Sequence, residues 1–342
     1  MTPPHPAPPR ISLYPTGPTP LEPANRLGAA LGFHPGHLRV KRDDLTALAF
    51  GGNKVRKLEF LVADAIYQGA DVLVAGGGAQ SNAVRATAAA AAVAGLRCVA
   101  VLGGPAPAVV GGNLLLDRLL GCEIEWLQNY DFDLVEARIL ALCAELSSNG
   151  AKPYRVPIGA STALGARGYA RCAAEIHAAW PECDTVVVAA GSGGTHAGLL
   201  VGFAQLAATG VAVPTVMGVD VGARPAVDRA IDAIAGELAA QLSAGARSPF
   251  TAPKAWVLGG EIGMGYGAPT ASALAALRLA AQTEGLILDP VYTAKALAGL
   301  IAARKRGDLK PDARVIFLHT GGAPGLFDPR WVHELFDDPQ PP

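Results

Sequence analysis

From residue 72 onward the chain alternates short β-branched runs that end in glycine with longer alanine- and leucine-rich stretches of helical spacing. Val72 to Gly76 precedes Asn82 to Gly95, Cys98 to Gly103 precedes Asn113 to Leu120, and Glu123 to Leu127 precedes Leu134 to Ser147. Thr185 to Ala190 then feeds a glycine loop and a helix, a short apolar run leads through Asp289–Thr293 into the helix Ala294 to Ala303, and Arg314 to His319 ends in a glycine turn. Ahead of these, Val55, Leu58, Leu61 and Val62 recur at helical spacing behind Asn53, which reads as a helix cap and puts Lys54 at the first helical position. Repeated strand–helix units with continuously apolar strands predict an α/β protein with open, mostly parallel sheets flanked by helices on both faces, and the length accommodates two such sheets. No internal repeat of fixed period is visible, and low-complexity sequence is confined to the proline-rich ends.

Composition narrows the partners. The 342 residues are 51% apolar and 17% charged, which describes a compact globular chain with material for a two-domain enzyme. Lys and Arg total 28 against 29 for Asp and Glu, without a basic run, so neither nucleic acid nor a membrane surface is an evident partner and the expected ligand is small. Cys98, Cys122, Cys143, Cys172 and Cys183 form no CxxC pair, which suits reduced, buried thiols in a cytoplasm better than a disulfide frame or a metal site. Met1 to Pro9 carries five prolines and no apolar signal-peptide core, so residues 1–10 read as a short disordered arm. The longest apolar run, Ala86 to Leu96, is too short to span a bilayer.

In open α/β sheets ligands gather at the carboxyl ends of strands, so the loops there carry the candidate chemistry. Lys54 would sit against the positive end of a helix dipole, a place that suits an imine or a poised neutral amine better than a solvated ammonium; a plain surface lysine is the alternative. Gly76–Asn82 brings glycines, a hydroxyl and an amide to a helix N-terminus, and is equally readable as a Ser/Asn cap. Gly191–Gly198 is the stronger signal, because stacked backbone N–H groups, the hydroxyls of Ser192 and Thr195 and a helix dipole together make a phosphate cradle. It lacks the Gly-Lys-Ser/Thr ending of a P-loop, and His196 takes the place of the third glycine of GxGxxG; Asp220, ending the next strand, leaves a nicotinamide-dependent oxidoreductase as an alternative from another class. A threonine before a helix, as at Thr293, is by itself a cap, and a tyrosine beside it is half-buried packing. His196 reads as a histidine oriented by the fold and His34 and His37 as surface residues. Trp126, Trp180, Trp256 and Trp331 read as packing, and Glu136 and Glu145 as a solvated helix face.

Taken together, Asn53–Lys54, Gln80–Ser81–Asn82, the glycine loop at 191–198, Gly265–Tyr266–Gly267, Asp289–Pro290–Val291–Tyr292 and His319–Thr320–Gly321–Gly322 stand in the order and approximate spacing of pyridoxal-phosphate enzymes of the tryptophan-synthase β type, fold type II. The chain resembles the branch that holds D-cysteine desulfhydrases and 1-aminocyclopropane-1-carboxylate deaminases, over roughly residues 10 to 328. The resemblance implies pyridoxal 5'-phosphate as cofactor, with Lys54 as the Schiff-base lysine and the base at Cα. It implies that Asn82 bonds the phenolic oxygen of the cofactor, with Asn53 also on the cofactor side, and that Ser192, Gly193, Gly194 and Thr195 hold the phosphate. Ser81 would meet the substrate carboxylate or assist proton movement, with Gln80, Asn82, Tyr266 and Tyr292 on the substrate side. Thr293 or Thr320 would lie near the pyridine nitrogen. No metal is implied.

The deaminase pattern has a glutamate just after the tyrosine of its VY motif and a leucine before the final Gly-Gly, where this chain has Thr293 and Thr320. Both point toward the desulfhydrase side: a carboxylate keeps the ring nitrogen protonated and makes a strong electron sink, whereas a neutral hydroxyl leaves a weaker one, suited to β-elimination. The expected reaction is conversion of D-cysteine to pyruvate, hydrogen sulfide and ammonia. One departure bears on the substrate, since Ala83 follows Asn82 where the desulfhydrase pattern has a histidine. Cysteate, D-serine, β-chloro-D-alanine, L-cysteine and the cyclopropane amino acid therefore remain alternatives. The resemblance further implies a homodimer, with a small domain of residues 57–164 inserted into a large cofactor-binding domain of residues 11–56 and 165–335. A non-catalytic amino-acid-binding protein on this scaffold would be expected to lack the lysine.

Overall fold

A computed structural model describes residues 10–14, 17–244 and 249–331. The arm expected over residues 1–10 lies outside the described residues except for Arg10, whose guanidinium pairs with Glu59 at 2.8 Å. In chain order the elements begin with β1 (Leu21–Pro23), α1 (Asn25–Ala30), β2 (Leu38–Arg42), α2 (Asn53–Tyr67), β3 (Val72–Gly78), α3 (Asn82–Ala94), β4 (Arg97–Gly103) and α4 (Gly112–Leu119). They continue with β5 (Glu123–Leu127), α5 (Phe132–Ser148), β6 (Pro153–Arg155), α6 (Ala163–Ala179), β7 (Thr185–Ala190), α7 (Gly194–Ala207) and β8 (Thr215–Asp220). The last are α8 (Val227–Ser243), β9 (Trp256–Leu258), α9 (Ala271–Glu284), α10 (Thr293–Arg306), β10 (Val315–His319) and α11 (Ala323–Leu326).

The strands form two sheets, one ordered β1-β2-β10-β7-β8-β9 and the other β5-β4-β3-β6. Every pairing is parallel except β1 with β2. This is the open α/β architecture that the strand–helix alternation predicts. The uninterrupted apolar strands are explained by burial on both faces. In the larger sheet Val186 and Val188 pack with α6, α7 and α8, while Val187 between them packs with α1, α9 and α10. In the smaller sheet Leu73 and Ala75 face α2 and α3, and Val72 and Val74 face α5.

Several local expectations shift. β3 runs two residues further, to Gly78, because its ladder with β4 continues through Gly77↔Leu102 and Gly78↔Gly103. The cap expected at Asn53 is instead Gly52, and Asn53 is the first helical residue with its amide turned elsewhere. The boundaries expected at 56/57 and 164/165 both fall inside continuous helices, α2 and α6. Cys98 and Cys122, distant in sequence, bring their sulfurs to 3.6 Å as free thiols because β4 and β5 are neighbours. Trp180 and Trp331 are buried as packing, whereas Trp256 is 38% exposed. Among the described residues no helix is long and apolar enough to cross a membrane.

Candidate active site

The approach to Lys54 is a strained turn. Ala49, Phe50, Gly51 and Gly52 all have positive φ, at 43°, 67°, 63° and 109°. A Cβ at Gly51 would fall 2.2 Å from the Thr46 carbonyl oxygen, so the turn can exist only with glycine there. Such strain persists only where the surroundings over-determine it. Here the buried Arg85 guanidinium donates to the carbonyls of Ala49 and Gly51, and Thr46 Oγ1 bonds both the N–H and the carbonyl of Gly52. The turn delivers α2 against the last strand: the Asn53 N–H donates to the Thr320 carbonyl at 3.0 Å.

Lys54 and Lys57 then share one face of α2, three residues apart, while Val55 and Leu58 go to the core. The Lys54 ammonium donates to Asn53 Oδ1 at 3.0 Å, and the Asn53 amide donates to Thr195 Oγ1 at 2.9 Å. Burial, reinforced by the positive charge of Arg85 and opposed by Asp289, brings the Lys54 pKa down from 10.5 to about 8. Lys57 is fully buried, and among the described residues its ammonium donates to the Gly159 carbonyl and Ser161 Oγ, both at 3.2 Å. Burial first and the neighbouring Lys54 charge second push its pKa well down. Ser161 Oγ also bonds Ser192 Oγ at 2.7 Å and accepts from the Gly194 N–H at 3.2 Å, at the start of α7. Lys57 thus meets the first N–H groups of α7 and two hydroxyls, an arrangement complementary to a phosphate dianion.

A single cleft collects most of the residues singled out in the sequence: Asn53, Lys54, Ser81, Asn82, Ser192, Gly193, Thr195, Tyr266, Tyr292 and Thr320 all line it, as does Ala83. Ser81 Oγ caps α3 by accepting from the Val84 N–H at 3.3 Å. Asn82 is steadied by Asn113, whose amide donates to Asn82 Oδ1 at 3.0 Å. The Tyr266 and Tyr292 hydroxyls share a hydrogen bond of 2.6 Å, and the Tyr130 ring lies 4.8 Å from that of Tyr266. Burial raises the pKa of all three phenols, which stay neutral.

Three expected residues are placed otherwise. The Gln80 side chain turns away to brace α4, donating to the Gly111 carbonyl and accepting from the Asn113 N–H, because the exposed N–H groups of that helix end need an acceptor. Thr293 does not line the cleft, since its hydroxyl donates to Asp289 Oδ1 at 2.7 Å and accepts from the Asp289 N–H at 2.8 Å inside the first turn of α10. Of the two threonines it is Thr320 that stands in the wall. Gly194 is not among the lining residues, and its N–H donates to Ser161 Oγ at 3.2 Å. His196 lies outside the cleft, buried against Gly218, and burial lowers its pKa to about 4. The Asp220 carboxylate closes its own turn on the Gly222 N–H.

Sequence reasoning missed Lys57, Ser161, Tyr130 and Arg85. Tyr130 follows the end of β5, so the strand-end rule could have found it. Lys57 was signalled by its spacing from Lys54. Glu136, expected as solvated, accepts from the Ile158 N–H at 2.6 Å and so holds the loop that carries Gly159.

A half-buried amine of lowered pKa, one helical turn from an anion cradle and at the mouth of two mostly parallel sheets, defines an enzyme that holds a phosphorylated carbonyl cofactor. The sequence matches the family model for pyridoxal-phosphate dependent enzymes over residues 13–321, and the chain belongs to that family. It is 42% identical over 336 residues to D-cysteine desulfhydrase of Serratia proteamaculans (strain 568), covering 93% of this chain and 95% of that one. A solved structure of an ACC deaminase homologue superposes with a TM-score of 0.84 at 34% identity, over 96% of both chains. Threonine deaminase isoform 2 of Solanum lycopersicum, 16% identical with a TM-score of 0.63 over 94% of this chain and 83% of that one, shares the fold.

Proposed function

We propose that the enzyme eliminates sulfide from D-cysteine, with pyruvate and ammonia as the other products. One observation carries the choice of reaction: among the described residues no carboxylate lines the cleft, and the side chain beside the Lys54 helix at the end of β10 is the neutral Thr320. A ring nitrogen facing a hydroxyl stays unprotonated, and the weaker electron sink favours a reaction in which charge leaves with the β-sulfur instead of resting on the ring. When bound, the cofactor supplies the electron-withdrawing ring that acidifies the substrate's Cα hydrogen.

The chain's own groups do the rest. Lys57, Ser192, Thr195 and the backbone of the glycine loop ahead of α7 would hold the phosphate. Asn82, fixed by Asn113, would hold the phenolic side of the ring, and Ser81 would meet the substrate carboxylate. Lys54 takes the Cα proton, as a largely neutral amine above a pH of about 8. The neutral Tyr266–Tyr292 pair offers a hydrogen bond to the departing sulfur. Ala83 leaves the substrate side open. Within residues 57–164, the sheet β5-β4-β3-β6 and the helices packed on it act as a small body that closes over the substrate and excludes water, in a cytoplasmic homodimer.

Two outcomes follow directly. Refilling of the cofactor-free protein with pyridoxal phosphate, followed by growth of visible absorbance, should speed up with pH to half its maximum near 8, because only the deprotonated amine attacks the aldehyde; a half-point near the ordinary lysine value of 10.5 would refute the lowered pKa. Lys57→Met should weaken cofactor retention by about tenfold or more in equilibrium dialysis, because a phosphate dianion beside Lys57 would favour its ammonium form against the burial and make the bond charge-assisted. The substrate is settled by assaying sulfide, pyruvate, ammonia and 2-oxobutyrate across D-cysteine, L-cysteine, cysteate, D-serine and the cyclopropane amino acid. Dominant 2-oxobutyrate from the cyclopropane would overturn the argument from Thr320.

A further inference from the structure

Lys295 lies on α10, one turn beyond Tyr292, and is fully buried. Its ammonium points at three backbone carbonyls drawn from two separate segments. Val221, in the turn after β8, lies at 3.4 Å; Ile262 and Gly265, in the glycine-rich loop between β9 and α9, lie at 2.9 and 3.2 Å. The carboxylates facing it, Glu261, Asp220 and Asp289, act on it as charges while their own oxygens serve other partners. Glu261 accepts from Thr270 and Ser272, Asp220 from the Gly222 N–H, and Asp289 from the first turn of α10. A ring of backbone carbonyls backed by distant negative charge is the coordination shell of a small monovalent cation, and here a side chain brings that cation on a tether.

The ring sits immediately behind the substrate side of the cleft. The Gly265 carbonyl it binds belongs to the residue before Tyr266. At Gly222, whose φ is +77°, a Cβ would lie 2.9 Å from Ile262 Cγ2 and 3.4 Å from the Tyr266 nitrogen, so the loop is laid directly on the Val221–Gly222 turn. The loop has turns of its own, the Gly265 N–H donating to the Ile262 carbonyl at 3.2 Å and the Ala268 N–H to the Gly265 carbonyl at 3.4 Å, but glycine occupies positions 259, 260, 263, 265 and 267, and Met264 is 97% exposed. Tyr266 is nevertheless brought to 2.6 Å from the Tyr292 hydroxyl. One helix therefore fixes Tyr266 at both ends, its hydroxyl through Tyr292 and its backbone through Lys295.

We infer that Lys295 is a positioning residue, a tethered monovalent cation whose carbonyl ring holds the glycine-rich loop so that Tyr266 meets Tyr292 beside the substrate. The inference rests on the elimination reading for its kinetic arm alone. The test compares Lys295→Ala, which vacates room for a free cation, with Lys295→Met, which fills the space without charge, both as purified holoenzyme with D-cysteine. In Lys295→Ala kcat should fall about ten- to a hundredfold, with KM moving less than about threefold. Ammonium or methylammonium should restore a substantial part of kcat, and tetramethylammonium at equal ionic strength should not. Lys295→Met should show the loss without the rescue. The unfolding temperature of Lys295→Ala should rise with the same cations in the same order, while that of the wild type should not, a readout that needs no substrate. Wild-type kcat in both variants, a defect indifferent to every cation, or failure of both variants to fold would overturn the inference. A wild-type enzyme inert toward D-cysteine would end the functional reading instead and leave the unfolding arm to decide the role of Lys295.

Discussion

Lys54→Ala should lose D-cysteine elimination by at least about 10³-fold, together with the visible absorbance of bound cofactor, because both roles proposed for Lys54, covalent anchor and base at Cα, are removed in one step. The geometry makes the loss specific. Lys54 and Lys57 occupy one face of α2, but Lys57 is committed to the Gly159 carbonyl and Ser161, deep beside the cradle, and does not replace its neighbour at the mouth. Absorbance spectra with and without borohydride, alongside pyruvate release, make the measurement. A Lys54→Ala enzyme with full turnover, or one in which borohydride fixes the cofactor to Lys57, would refute the assignment. The intact unfolding profile expected of Lys54→Ala separates lost chemistry from lost folding, since the Lys54 side chain bonds only its own neighbour Asn53 among the described residues.

Arg56→Met carries the largest expected cost in stability. On the same helix α2, Arg56 donates to Asp43 through Nε and Nη2 at 2.8 and 2.9 Å, and to Glu175 through Nη1 and Nη2 at 2.8 Å. Asp43 is wholly buried and also accepts from Thr19 Oγ1 and the Tyr169 hydroxyl. Removing Arg56 strands that carboxylate, which typically costs about 3–5 kcal/mol. The pH dependence has a definite sign. Burial pushes the Asp43 pKa up, but the Arg56 charge and the hydrogen bonds from Arg56, Tyr169 and Thr19 outweigh it and leave the folded value below 3.8. Its contribution to stability is therefore complete above the usual aspartate range and is lost as pH falls through the folded pKa. In Arg56→Met burial acts with less opposition, Asp43 takes up a proton in the folded state, and the deficit against wild type should shrink toward about pH 4. Urea unfolding of both proteins between neutral and acid pH tests this; a deficit that grows on acidification would contradict it.

Much of the site was legible in the sequence because its pieces are local. A lysine behind two glycines, a Ser-Asn pair at a helix start and a glycine loop ahead of another helix are each chemistry written within a few residues, and strand-end placement follows from the α/β pattern alone. Where local reading went astray, the same residue types were serving the backbone. Gln80 and Thr293 carry the right groups in the right motifs, yet one braces the open end of α4 and the other closes the first turn of α10, because unpaired backbone groups at helix ends compete for any nearby hydroxyl or amide.

What lay beyond reach had partners far away in the chain. Lys57 acquires a role only when α2 meets the Gly159–Ser161 turn, Arg85 only when α3 meets the turn at 49–51, and Lys295 only when β8, the glycine-rich loop and α10 converge. The sequence by itself determined the α/β alternation, the family and the place of Lys54 in the first turn of a helix, since periodicity and short motifs report on neighbours a few residues apart. Which threonine faces the cleft, which buried cations hold the loops and how the two tyrosines pair were decided only by tertiary structure. Each depends on a charge or hydroxyl finding its counterpart across a distance that local propensity does not encode.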